Sequence, residues 1–212
     1  MIITVSREFG AGGAQVAAEV ARALGWTLVD NQYVDEVARR AGMSPEEVER
    51  QEERAPGFLE RLARTLANAT SEYVTPDGSV MPEMEEARLV KITETVVAEY
   101  AAQGRVVMVG RAAPAVLEQV QDAIHVRIVA PRGHRVATVA ARRGVSEDEA
   151  EEIVRDRDRA RARYHKMYYD REWTDPVNYH MVLNSAVLGV TGAAEVVVGR
   201  ARRVWQGVES RE

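Results

Sequence analysis

"SREFGAGGAQVA", Ser6 to Ala17, follows an apolar run, "IITVS" (2–6), and leads into a segment of helical spacing that stops at Gly25. Strand, glycine-rich turn and helix in that order set main-chain N–H groups at a helix mouth, where anions are held. The phosphate-binding pattern G-x-x-x-x-G-K-[ST] carries a lysine after its last glycine; here that place is Gly13. An amide nest needs small residues rather than a lysine, so Gly10, Ala11, Gly12, Gly13, Ala14 and Gln15 are the candidate phosphate-binding residues. Two other readings fit the same letters. One is a turn that serves close packing alone. The other is a dinucleotide fold, in which Gly10 and Gly12 give the G-x-G spacing and Asp30, twenty residues past Gly10, would grip a ribose.

Outward from the loop, strand and helix patterns alternate. "WTLVD" (26–30) reads as a second strand and "NQYVDEVARRAG" as a helix closed by Gly42. Ser44 and Glu47 make a capping box, and 44–82 reads as a helical insertion arm ending in the turn-rich "TPDGSVMP". A long helix from Glu83 to Gln103 precedes "RVVMVG" (105–110), an apolar run of the kind buried in a parallel sheet. "AIHVRIVA" (123–130) and "YHMVLN" (179–184) are the remaining strands, separated by helices at 131–143 and 146–168 and followed by a closing helix. The expected fold is α/β: one domain with a five-stranded parallel sheet flanked by helices, its site at the carboxyl ends of the strands.

Composition narrows the chemistry. The 212 residues include no cysteine, which removes disulfides, thiolate nucleophiles and sulfur-bound metals. A net charge of −5 argues against nucleic acid as a partner, and no apolar run reaches membrane-spanning length, so a soluble, cytoplasmic chain is expected. There are two lysines, whereas nine arginines lie between 132 and 163. Any phosphate chemistry must therefore rest on guanidinium groups. The four histidines have no zinc-ligand spacing, and the three tryptophans read as core or interface anchors.

Four separated motifs carry a family resemblance: "ITVSREFGAGGAQVA", "GRAAPAVL" (110–117), "DRARARYH" (158–165) and "WTDPVNYHMVLNS" (173–185). In order and content they resemble the cytidylate kinase-like family, within the P-loop nucleoside monophosphate kinase superfamily. The resemblance implies ATP and magnesium (Mg2+) as cofactors, a nucleotide or small-molecule acceptor as partner, and an arginine-rich lid helix. Self-association into a homo-oligomer is compatible with the sequence. The implied function is transfer of the γ-phosphoryl group to a nucleoside monophosphate or other small acceptor, with arginines replacing the loop lysine. The alternative is a catalytically impaired nucleotide-binding sensor or interaction protein, because Gly13, Val109 and Ala112 stand where such kinases carry lysine and two acids.

The candidate catalytic residues are Arg7, Arg111, Arg155, Asp158 and Arg161. Arg7 occupies the place of the loop's first glycine, with a structural pairing to Glu8 or Glu36 as its other reading. Arg111 directly follows a buried strand. Asp158 is expected to orient an arginine rather than act as base. On the acceptor side stand Asp30, Tyr33 and Arg39, the last of which equally reads as decoration of an exposed helix face. Glu8 is the candidate metal ligand.

Overall fold

The computed structural model describes residues 1–48 and 82–205; of these, the side chains of 31–33 and 82–86 are left aside. Most of the expected arm at 44–82, from 49 to 81, lies outside the described residues. Five strands alternate with helices: β1 (Ile2–Arg7), α1 (Gly13–Leu24), β2 (Thr27–Val29), α2 (Asn31–Ala41), α3 (Pro82–Gln103), β3 (Val106–Val109) and the one-turn α4 (Ala113–Val116). They continue with β4 (Ala123–Val129), α5 (Arg132–Arg143), α6 (Glu147–Tyr169), a 3-10 turn at Pro176–Asn178, β5 (Met181–Asn184) and α7 (Ser185–Trp205). All strand pairs are parallel, in the order β2-β3-β1-β4-β5.

β1 lies at the centre of that order with both faces covered, and its first five residues are buried, the polar Thr4 and Ser6 included. Ile3 and Val5 join Val107, Val126 and Ile128 against α1 and α7, while Ile2 joins Val106 and Met108 against α2 and α3. Trp26 and Trp205, their ring centroids 5.2 Å apart, fasten the end of α7 to the corner between α1 and β2. The capping box at Ser44 forms as read, Ser44 Oγ accepting from Glu47 N (3.2 Å) while Glu47 Oε2 accepts from Ser44 N (2.8 Å), and Ser146 Oγ caps α6 by accepting from Glu149 N. One boundary differs from expectation. The helix after β5 begins at Ser185 and is broken at Gly189 (φ 69°, ψ 172°), where the chain steps from a short turn into the packed part of α7.

Parallel pairing of β1 and β4 sets Thr4 beside His125, whose Nδ1 lies 2.8 Å from Thr4 Oγ1, and His180 stacks on His125 at 5.0 Å. His180 Nδ1 accepts the His125 main-chain N–H at 2.8 Å. Burial, reinforced by His180 and Arg171, pushes His125 down from 6.5 to about 4. Burial, with Arg171 and Arg127, pushes His165 in α6 down to about 4 as well. Since each folded value lies below the unfolded one, the native state binds fewer protons, and stability falls as pH drops from 6.5 towards 4. Each imidazole contributes up to roughly 3 kcal/mol of this loss. Thermal melts across that range should show the decline, and His125→Gln with His165→Gln should flatten it.

Candidate functional site

The glycine loop is shaped by what presses on it. Gly10, at φ 83°, has no room for a side chain, because a Cβ would lie 2.8 Å from the Arg135 carbonyl oxygen of α5. Gly12 caps α1 in the left-handed region without a side-chain bond, so the first-turn amides from Gly13 onward have no acceptor inside the helix. Ala11 corrects the expected nest: it is buried, and its N–H closes a turn onto the Glu8 carbonyl at 3.2 Å. Its own carbonyl accepts from Ser185 Oγ at 2.6 Å, which gives the "NS" landmark a structural task.

Gly13 explains the absent lysine. A Cβ there would stand 2.5 Å from Arg7 Cβ and 2.9 Å from Arg7 Cδ, so the aliphatic stem of Arg7 already fills the space above it. Its guanidinium continues to Gly110 at the end of β3, where a Cβ would lie 2.7 Å from Arg7 Nη1. The acid it approaches is neither Glu8 nor Glu36 but Asp30, Oδ1 to Nη2 at 3.9 Å. Burial lowers the Arg7 pKa, with Asp30 opposing and Arg111 adding to the shift.

Arg7 enters a cavity of about 250 Å³ at the carboxyl ends of β1 and β3, whose cationic wall also includes Arg111, Arg157 and Arg161. Asp30 is the acid on that wall, and Ser6, Phe9, Tyr164, His165 and Trp173 line the rest of its polar and aromatic face. Gly110, Arg111 and Ala112 run through three successive positive φ values (78°, 53° and 50°), a turn that two non-glycine residues adopt only under constraint. Burial, together with the guanidiniums of Arg7, Arg157 and Arg111, pushes Arg161 down to about 9 against the pull of Asp158. It remains cationic at neutral pH, but beside like charges that an anionic ligand would neutralise.

Behind the cavity runs an ion network that holds the loop. Asp158 Oδ1 accepts the main-chain N–H of Phe9 at 2.8 Å, and its Oδ2 accepts from Arg135 Nη1 at 2.6 Å. Arg135 Nη1 also donates to the Phe9 carbonyl at 3.1 Å, and Arg161 Nη1 donates to the Arg7 carbonyl at 2.9 Å. Glu8 lies between two guanidiniums, 3.3 Å from Arg135 Nε and 3.6 Å from Arg127 Nη2, and accepts from Ala130 N. Arg127, only 2% exposed, stacks on Trp173 with its Cζ 4.0 Å from the ring centroid and donates to the Trp173 carbonyl at 2.8 Å. Trp173 Nε1 in turn donates to Ser6 Oγ at 3.0 Å, and Tyr179 Oη donates to the Trp173 carbonyl at 2.8 Å.

The candidate residues thus divide. Arg7, Asp30, Arg111 and Arg161 meet at the cavity, and Asp158 stands behind them orienting Arg135 as well as Arg161. Arg155 is half-exposed and pairs with Asp156, because its position on α6 faces away from the loop. Arg39, 69% exposed, is held by Glu36 on its own helix. The side chain of Tyr33 lies outside those described. Glu8 departs from the expected metal ligand, since its carboxylate is already engaged by Arg127, Arg135 and Ala130. Among the described residues no group of three or more histidine and acidic side chains assembles to hold a metal ion. Gly10 to Gln15 are not among the cavity walls; Arg7 connects the two.

Sequence reasoning missed Arg127, Arg135, Arg157 and Phe9. Arg127 alone carried a signal, a charge in the middle of an otherwise apolar strand. Removing Asp158 tests the network: Asp158→Ala would leave the Arg135 guanidinium and the Phe9 amide short of an acceptor and should cost about 3 kcal/mol of unfolding free energy. Asp158→Asn, which keeps an acceptor for Phe9, should cost less in the same denaturant titration.

The chain aligns with an uncharacterized protein from Eubacterium ventriosum at 20% identity, covering 95% of this chain and 98% of that one, with a TM-score of 0.68. It also aligns with the shikimate kinase from Bacteroides thetaiotaomicron at 14% identity, covering 97% and 98%, with a TM-score of 0.52. These likenesses establish the fold: a five-stranded parallel sheet in the order 2-3-1-4-5 flanked by helices, as in shikimate and nucleoside monophosphate kinases. A search of curated proteins gives no match. The model of the "Cytidylate kinase-like family" matches residues 2–187, and the chain belongs to that family.

Proposed function

We propose that the protein is a phosphotransferase that moves the γ-phosphoryl group of ATP to a nucleoside monophosphate or other small acceptor, with Arg7 supplying the positive charge of the missing lysine. The observation that carries this reading is the exchange between Arg7 and Gly13. The stem of one fills the space above the other, and the charged head reaches the cavity. Bound ATP with magnesium would bring the transferable phosphoryl group. The first-turn amides of α1 fit its phosphates, whereas metal ligands have no assembled counterpart among the described residues.

Each cavity residue then has a task. Arg7, Arg111 and Arg161 neutralise charge that builds on oxygens during transfer, and their fixed positions avoid reorganisation at that moment. One unit charge at about 4 Å with an effective dielectric near 20 is worth roughly 4 kcal/mol, equivalent to up to about a thousandfold in rate. Asp30 is suited to accept a hydrogen bond from a hydroxyl of the acceptor and, where that hydroxyl rather than a phosphate oxygen is the nucleophile, to take its proton. The sensor reading keeps one observation in its favour: Glu8, the loop carboxylate, is fully engaged between arginines.

Purified protein given ATP, magnesium and a panel of nucleoside monophosphates and small hydroxylated acids should turn over with one acceptor class. ATP binding without turnover across the panel would favour the sensor. Arg111→Ala should lower turnover by about a hundredfold or more with an unchanged melting temperature. The loop exchange is a sharper check. Gly13→Lys alone should fold poorly against Arg7, whereas Arg7→Gly combined with Gly13→Lys should transfer faster than Arg7→Gly alone.

A further inference from the structure

The cavity wall is rich in groups that can only donate hydrogen bonds. Arg7, Arg111, Arg157 and Arg161 bring guanidinium groups, which have no lone pair to offer, and the Trp173 indole is likewise a donor. An anionic oxygen is well served there. A ligand hydroxyl is not, because its own proton needs an accepting atom or stays unsatisfied. Asp30 is one accepting group on the wall. Ser6 Oγ is already engaged, taking the Trp173 indole N–H at 3.0 Å and lying 3.4 Å from Tyr179 Oη.

His165 is another. It lines the cavity from the last turns of α6, only 7% exposed, and neither ring nitrogen has a hydrogen-bond partner among the described residues. The other buried histidine differs: His125 Nε2 is shut off from solvent without a partner, whereas neither His165 nitrogen is shut off in this way. The His165 nitrogens therefore meet the open space of the cavity. Burial, followed by Arg171 and Arg127, keeps the ring uncharged at neutral pH, and an uncharged imidazole has one accepting and one donating nitrogen. The ring is also well mounted. The His165 carbonyl accepts from the N–H groups of Asp170 and Arg171, which closes α6 in a left-handed turn, and the Tyr169 ring lies 6.2 Å away, centroid to centroid. A side chain held like this loses little freedom when a ligand arrives.

We propose that His165 is a specificity-determining residue that hydrogen-bonds a hydroxyl of the phosphoryl acceptor, so that the acceptor class is a phosphate or carboxylate bearing more than one hydroxyl, one bonded by Asp30 and another by His165. The inference rests on the reading that an anionic acceptor binds in this cavity, and it names the part of that acceptor which is recognised. A site built to bond a hydroxyl rejects the analogue without it, because its own polar groups are then left unpaired.

Calorimetry on the full chain with n-propyl phosphate and glycerol 3-phosphate tests it, since the two share a phosphate and differ in two hydroxyls. The parent protein should bind glycerol 3-phosphate about tenfold more tightly. His165→Phe, which keeps an aromatic ring but removes both nitrogens, should cut that preference about fivefold and leave n-propyl phosphate within about twofold of the parent. His165→Gln, which restores an accepting and a donating atom, should recover most of the preference. In parent protein labelled with nitrogen-15 at the histidine rings, glycerol 3-phosphate should shift the His165 signals further than n-propyl phosphate does. Equal affinity for the two probes in the parent, an undiminished preference in His165→Phe, or equal ring-nitrogen shifts with both probes would each overturn the inference. Should His165→Phe fail to fold, the ring-nitrogen signals of the parent decide. Failure of both probes to bind overturns the anion reading and the inference with it, whereas n-propyl phosphate bound with no gain from hydroxyls overturns the inference alone.

Discussion

Asp158 takes the Phe9 amide on one oxygen and the Arg135 guanidinium on the other, and through these two bonds a helix residue 149 positions along the chain from Phe9 fixes the shape of the glycine loop. Around this contact charges alternate: Arg161, Asp158, Arg135, Glu8, Arg127. Arg127 and Arg135 are buried and each acid in the row has more than one donor, a condition under which buried charges are tolerated. The arrangement links β1, β4, α5 and α6 at the carboxyl edge of the sheet. Hydrophobic burial holds the layers together, but it is this ion row that fixes where the loop ends and the cavity begins.

The Arg7 and Gly13 pair shows how a glycine-rich loop of this shape keeps its form without a lysine, the Arg7 stem filling the space above Gly13. Lysine at position 13 and arginine at position 7 compete for one volume, so the two loop types are alternatives rather than degrees of decay. The arginine reaching in from the strand carries a planar, forked head, and it brings that head to Gly110 at the β3 edge. The rest of the cavity is consistent with that change, since its wall carries guanidiniums throughout.

Much of this was legible from the residues because the signals were local or periodic. Apolar runs gave the five strands, the capping box at Ser44 marked a helix start, and the glycines after β1 marked the turn. Arg7, Asp30, Arg111 and Arg161 were legible because each lies at or near the end of a strand or in a quoted motif, where topology brings such residues together. Arg155 and Arg161 looked alike in sequence, yet a helical period sends them to different faces, and only packing of α6 against the loop decides which one matters. Glu8 looked like a free acid beside a loop; its true partners, Arg127 and Arg135, lie on β4 and α5, more than a hundred residues on. Phe9 gave no signal at all, because a single aromatic in a loop acquires meaning only from what surrounds it in space.

The turn at Gly110, Arg111 and Ala112 has a consequence for how the cavity can adapt. Three left-handed residues in succession leave the backbone almost no neighbouring conformation to relax into, so this wall is a fixed template whose dimensions do not follow the guest. Asp30, the N-cap of α2, lines the same cavity and approaches Arg7 at 3.9 Å, so the Arg111 side is the wall whose backbone has least freedom to yield.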